Sequence, residues 1–191
     1  MIDWIKNINK KHPEFWKKYL LTFEEKSNRY ISLALETTGL NAEKDLILSI
    51  AAISIVNDTI FIGESFEINI SQNNSFNHNS LISQPKIDQF EALEVFLNFI
   101  ENAILIGHRI YFDIEIINEA LNKMDCGRLK NEALDIEIMY KKLHDLNDDK
   151  SFSLDELGSF YKIPKYEPST PNEAFSIALL FLKLKTKLGI T

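Results

Sequence analysis

Apolar and polar positions alternate from Tyr30 to Glu36. Ile31, Leu33 and Leu35 share one face of a strand, and Ser32, Ala34 and Glu36 share the other. Thr37-Thr38-Gly39-Leu40 follows as a tight turn, so a carboxylate is presented at a strand end. Residues 46–56 form a second, almost continuously apolar strand. Asn57-Asp58 is a hairpin signal, and Phe61 to Ile70 returns as a third strand. Short connections make these three consecutive strands antiparallel. The Asn- and Ser-rich stretch 71–80 reads as a loop. Helical spacing then takes over at 87–101, with Phe90, Leu93, Phe96, Leu97 and Ile100 inward. Ala103 to Ile106 is a short buried strand ended by Gly107, and a helix runs from there to about Lys123. Ala133 to Leu143 begins as a strand and continues as a helix. Further helices cover Ser153 to Tyr161 and Pro171 to Leu188.

Before the first strand, Trp4, Ile5 and Ile8, then Phe15, Trp16, Tyr19, Leu20 and Phe23, recur at helical spacings with lysines between them, and Pro13 suits a helix start. Residues 1–28 are therefore expected to be a helical N-terminal extension, and residues 29–191 the main domain. The extension either docks on that domain or serves as a partner-binding or nucleic-acid-binding arm built from the aromatics and lysines. Docking is the expected outcome, because burying four aromatic rings is worth on the order of 1.5–3 kcal/mol each.

Composition narrows the function classes. At 191 residues and 45% hydrophobic content, the chain fits one domain with a sizeable core. A formal net charge of −7 provides no overall field for phosphates, so nucleic acid would need a local basic patch or bound cations. Cys126 is the single cysteine, which excludes an internal disulfide. Lysines 10, 11, 17 and 18 interrupt any signal-peptide core, and no apolar run is long enough for a membrane span. A cytoplasmic location is expected.

Leu35-Glu36-Thr37-Thr38-Gly39-Leu40 after an apolar strand resembles the first motif of the DEDDh-type 3′–5′ exonucleases, a family that includes the proofreading subunit of bacterial replicative polymerase. The resemblance extends over about residues 29–185. It implies an α/β, RNase H-like domain: three antiparallel strands followed by alternating helices and strands in one mixed sheet. It implies metal-dependent hydrolysis at the 3′ end of single-stranded nucleic acid, with Mg²⁺ or Mn²⁺ as cofactor. Such chemistry uses two cations about 3.5–4 Å apart to activate water and neutralise developing charge. Hard cations take oxygen ligands, hence a cluster of carboxylates. Glu36 matches the family glutamate, but Ala34 stands where the family has an aspartate that contacts both metals.

Gly107-His108-Arg109-Ile110-Tyr111-Phe112-Asp113 is similar to the family's Gly-His-Asn-x-x-Phe-Asp. Asp113 is the second-motif aspartate, and Arg109 replaces asparagine. Arg109 is expected in an ion pair, and His108 in a supporting rather than catalytic role. Leu134-Asp135-Ile136 and Ser153-Leu154-Asp155-Glu156-Leu157 also fit the family pattern, with Asp135 and Asp155 expected as caps or structural acids. In the third motif the family's histidine falls on Pro168, and Glu173 replaces the aspartate. His12, His78, His108 and His144 lie outside that motif. Glu173 is either a metal ligand or part of a capping box in Thr170-Pro171-Asn172-Glu173, with Thr170 at the N-cap. By resemblance, Glu36 and Asp113 are the catalytic candidates, and Glu36, Asp113 and Glu173 the metal candidates. Thr37, Thr38, Gly39, Leu40, His108 and Phe112 are the substrate-binding candidates.

Three of the five family positions therefore differ. Loss of a general base costs roughly 10²–10⁴ in rate, and a group misplaced by about 1 Å can cost near 10² more. The expectation is an impaired or inactive exonuclease-like protein. The alternatives are an interaction module that kept the fold, and hydrolysis of another phosphoester with one metal on Glu36 and Asp113. An acidic rather than a basic groove beside the site would favour the interaction module.

Overall fold

The computed structural model describes residues 12–71, 87–147 and 149–190. Trp4, Ile5, Ile8, His78 and nearly all of the expected 71–80 loop lie outside the described residues.

Five strands make one mixed sheet: β1 (Tyr30–Thr37), β2 (Ile47–Val56), β3 (Thr59–Asn69), β4 (Ile104–Gly107) and β5 (Ala133–Asp135). Their spatial order is β3-β2-β1-β4-β5. β1 and β3 pair antiparallel with β2, while β1–β4 and β4–β5 are parallel. This is the α/β, RNase H-like arrangement expected. The β2–β3 turn is as tight as Asn57-Asp58 requires: both residues are left-handed, at φ 48° and 60°.

Among the described residues six α-helices cover the sheet: α1 (Glu14–Leu21), α2 (Gln89–Ile100), α3 (Ile110–Asn122), α4 (Ile136–Leu143), α5 (Leu154–Phe160) and α6 (Thr170–Leu188). On one face Ile31 and Leu33 pack in a cluster with Trp16 and Tyr19 of α1, Phe96 of α2 and Ile117 of α3. On the other face Ala34, Ala51 and Ile53 join Ile136 and Tyr140 of α4, Leu157 of α5 and Ala174, Ile177, Ala178 and Phe181 of α6. Both faces of β1 are thus covered, which is why its Ser32 is also buried and donates to the Ile53 carbonyl at 3.4 Å.

Within the N-terminal segment, α1 lies against the first of these faces. Trp16 and Tyr19 are each 2% exposed. The Tyr19 hydroxyl donates to Asn131 Oδ1 at 2.6 Å and accepts from the Lys130 N–H at 2.8 Å, and Phe23 meets the Tyr19 ring edge-on.

The start of α6 differs from the expected capping box. Ser169, not Thr170, is the N-cap, and its hydroxyl accepts from the Asn172 N–H. Thr170 and Pro171 lie inside the first turn. The one-residue shift removes Glu173 from the N3 position, where it would reach back to the cap. The Thr170 hydroxyl instead bonds Ser49 of β2 at 2.6 Å.

Candidate active site

The candidate site lies where β1 and β4 end and α3 and α6 begin. At the end of β1 the register with β2 slips between Glu36 and Thr37, leaving Glu36 opposite Ser49. Such a bulge bends the strand and re-aims the side chain at its end. Glu36 is exposed, and its Oε2 accepts from the Ser49 hydroxyl at 3.3 Å. Ser49 has one proton to give, so Thr170 then donates to Ser49, and a hydroxyl chain runs from α6 through β2 to the carboxylate.

The turn after Glu36 is braced by its own side chains. Thr37 Oγ1 donates to the Gly39 carbonyl at 2.7 Å. Thr38 Oγ1 donates to Asp45 Oδ1 at 2.8 Å and accepts from the Leu46 N–H at 3.0 Å. Asp45 also accepts from the Asn41 N–H at 2.8 Å, and these two donors hold its carboxyl below the ordinary range. Glycine at 39 leaves room for this carboxylate, since a Cβ there would sit 2.6 Å from Asp45 Oδ2 and push it off its donors. Leu40 projects from this turn with 88% of its surface exposed.

The β4–α3 junction supplies the second group. Gly107 admits the close approach of Ile110, whose Cβ would lie 2.8 Å from a Cβ at 107. Arg109 then takes a left-handed conformation at φ 56°. Asparagine adopts that conformation more readily than other non-glycine residues, so the family's residue suits the turn and Arg109 holds it under strain. Its guanidinium bonds Glu137 Oε2 at 3.2 Å and Ser151 Oγ at 2.6 Å, the ion pair expected from sequence. Asp135 caps α4 by accepting from the Glu137 and Ile138 N–H groups, and reaches the Ile110 N–H at 3.2 Å. Asp155 is not a cap; it pairs with Lys165 at 2.9 Å, and Ser153 and Glu156 form the capping box of α5.

Asp113 lies half-buried in the first turn of α3, close behind Phe112. Burial raises its carboxyl well above the ordinary range, and the charges of Glu173 and Asp135 raise it further. Burial also raises Glu173, with His108 pulling the other way. The structure therefore brings Asp113, Glu173, Asp135 and His108 into electrostatic reach of one another. Glu36 is tied instead to Ser49. His108 donates from Nε2 to the Phe152 carbonyl at 2.8 Å and lies 3.7 Å from Glu137. Of the remaining described histidines, His144 meets the Tyr161 hydroxyl at 3.2 Å and His12 the Asp125 carbonyl at 2.6 Å. Pro168 is exposed in the bend before α6.

These donors do not fit a two-cation clamp. Position 34 is a methyl group, 2% exposed, in an apolar cluster with Ala51, Ala174 and Ala178. Among the described residues no three His, Cys, Asp or Glu side chains are placed to hold a metal ion.

Reading the sequence missed Glu137, which is 5% exposed. It gathers the Phe152 N–H at 2.9 Å, Lys141 at 3.1 Å and Arg109 at 3.2 Å. Burial pushes its carboxyl up, but these donors outweigh it and bring it down to about 2. The available signal was a glutamate two residues after an N-cap aspartate, on the helix face that packs inward. Ser49 was passed over because it interrupts a run of apolar residues that already reads as a strand.

Comparison with known proteins follows the same lines. Residues 32–164 match the model of a family described as Exonuclease, of the RNase T type. The DNA polymerase III subunit epsilon of Buchnera aphidicola subsp. Baizongia pistaciae (strain Bp) is 28% identical over 180 residues, covering 86% of this chain and 70% of that protein. The DNA polymerase III PolC-type protein of Clostridium perfringens (strain 13 / Type A) is 31% identical over 121 residues, covering 59% of this chain. The chain spans only 8% of that relative's length. Among solved structures, a zinc-bound E. coli exonuclease I in complex with single-stranded DNA superimposes with a TM-score of 0.69 at 13% identity. It covers 84% of this chain and 41% of that one.

Proposed function

The chain belongs to the exonuclease family of the DEDDh 3′–5′ type, and from that premise we propose that it is a degenerate member with impaired or absent phosphodiester hydrolysis. The observation that carries this is Ala34: the position of the family's shared metal ligand is a buried methyl, sealed among the alanines of β2 and α6. Pro168 removes the general base by the same resemblance. Glu36, Asp113 and Glu173 are the remaining acidic candidates. Thr37, Thr38, Gly39, Leu40, His108 and Phe112 are candidates for holding a nucleic-acid 3′ end. Burial raises the carboxyls of Asp113 and Glu173, and the charge of Glu173 raises Asp113 further. What the chain's own residues retain is a braced turn at Glu36 and a fixed His108–Phe152 contact, which support binding more than turnover.

The test is degradation of a 3′-labelled single-stranded oligonucleotide with Mg²⁺ or Mn²⁺, beside an intact family member. The expected rate is lower by at least 10³, the combined scale of the losses above. Rapid, metal-dependent, end-directed degradation that disappears in Glu36→Gln would overturn the reading. The second reading, a non-catalytic interaction module, is favoured by a groove that Glu173 lines together with Asp155, Glu167 and Lys165, three carboxylates to one ammonium.

A further inference from the structure

A groove of about 500 Å³ opens between α5, the 163–169 connection and the first turns of α6, and Glu173 forms part of its wall. Its charged lining is Asp155, Glu167 and Glu173 against Lys165. Lys165 is occupied by Asp155 at 2.9 Å. The side chains of Glu167 and Glu173 have no hydrogen-bond or ion-pair partner among the described residues, and His108 acts on Glu173 only at longer range. The rest of the wall mixes serines and Asn172 with Ile163, Pro168 and Tyr166, whose ring packs edge-on with Phe175 at 5.5 Å.

A phosphate backbone is a poor occupant of this lining, since three carboxylates face it with one ammonium already paired. A cation with a long aliphatic stem suits it. Such a stem can lie along Ile163 and Pro168 while its charge reaches Glu167 or Glu173, and Tyr166 adds an aromatic ring to the same lining. Arginine combines these features with a planar fork that matches a carboxylate. We propose that this groove docks a basic, arginine-containing segment of a protein partner. The inference rests on the reading that the neighbouring site is degenerate, so that Glu173 is free of a metal-binding role.

The experiment titrates fluorescein-labelled tetra-arginine into the full chain at physiological salt, with spermine and (dT)8 as competitors. Saturable binding is expected, with backbone amide shifts confined to 165–167, Ser169 and Asn172. Glu167→Lys should weaken it at least tenfold. Glu24→Lys, in the groove at the other end of β1, should change it less than twofold. Tyr166→Ala should weaken it without altering a Glu167→Lys chain further. Equal losses from Glu167→Lys and Glu24→Lys would reduce the effect to the chain's net charge and overturn the proposal. So would the absence of saturable binding, displacement by spermine at equal charge concentration, or tighter binding of (dT)8. Both substituted glutamates are exposed, so thermal melting should match the parent. The nuclease assay reads the hydrolytic site independently, so either proposal can fail alone.

Discussion

The two faces of the sheet are built from different stock. The face under α1, α2 and α3 is filled by large side chains, including Trp16, Tyr19, Phe96, Leu93 and Leu97, each no more than 2% exposed. The face under α4, α5 and α6 is lined where α6 crosses the strands by small residues, Ala34, Ala51, Ala174 and Ala178. Large residues hold helices away from a sheet and fill the space; small ones let a helix approach closely. The close approach sets Thr170 against Ser49 and brings Glu173 within reach of Asp113. The first face is a stability surface. The second is where a site can be assembled, and there position 34 is an alanine packed into the apolar cluster.

The largest expected effect is on the sealed face. Trp16→Ala removes a buried indole that packs at 4.9 Å from the Tyr19 ring and lines the position of Gly127. A Trp→Ala change in a core costs about 3–5 kcal/mol. At about 2–4 °C per kcal/mol for a chain of this size, the midpoint of thermal unfolding should fall by on the order of 10 °C. An unchanged midpoint would mean that α1 contributes nothing to the first face.

On the second face, Ala34→Asp tests whether packing and ligation compete. An uncompensated carboxylate among Ala51, Ala174 and Ala178 should cost about 3 kcal/mol, observable as a melting point lower by roughly 6–12 °C. Millimolar Mn²⁺ should recover part of this loss if Glu36 and Asp113 can turn toward the new carboxylate, because a ligand bound only by the folded state stabilises it. Melting scans with and without Mn²⁺ decide it. A variant as stable as the parent without metal would show that position 34 is not sealed by packing and would remove the basis for calling the site degenerate.

The same contrast explains what was legible in the sequence. The strands, the helices and the antiparallel pairing of the first three strands follow from apolar runs and short connections, which have one physical cause in the burial of apolar residues. The spatial strand order and the assignment of helices to the two faces are set by tertiary packing. The turns were legible where one residue dictates geometry, as with Asn57-Asp58 and Gly39. The α6 cap was misplaced by one residue because Ser169 and Thr170 are both capping residues, and only the tertiary Thr170–Ser49 bond decides between them. Glu137 was invisible for a related reason. Lys141 is a local i,i+4 partner, but Arg109 and the Phe152 N–H arrive from distant segments, and no local pattern announces that convergence. The candidate carboxylates could be named from motifs, but not that Asp113 senses Glu173 while Glu36 turns to Ser49.

The smallest effect concerns charge rather than packing, and it sets Glu137 against the Asp113–Glu173 pair. Glu137 falls from its ordinary 4.5 to about 2 in the fold, so the unfolded chain takes up its proton first. Its contribution to stability is complete above about pH 4.5, declines as pH falls toward 2, and is gone below that. A shift of this size corresponds to about 3 kcal/mol. Exposure of the Arg109 partner reduces this to on the order of 1–2 kcal/mol. Asp113 and Glu173 have the opposite sign: their raised carboxyls destabilise the fold above their unfolded values, and acid relieves them. The parent chain should therefore show a shallower acid dependence than Glu137 alone would give. Replacing Glu137 by glutamine removes the depressed carboxyl and leaves the raised pair. Urea midpoints of parent and Glu137→Gln should differ most near pH 6, draw together from about pH 4.5 downward, and converge only as pH approaches 2. A gap that stays constant across that range would place the stabilisation in the hydrogen-bond geometry of residue 137 rather than in its charge.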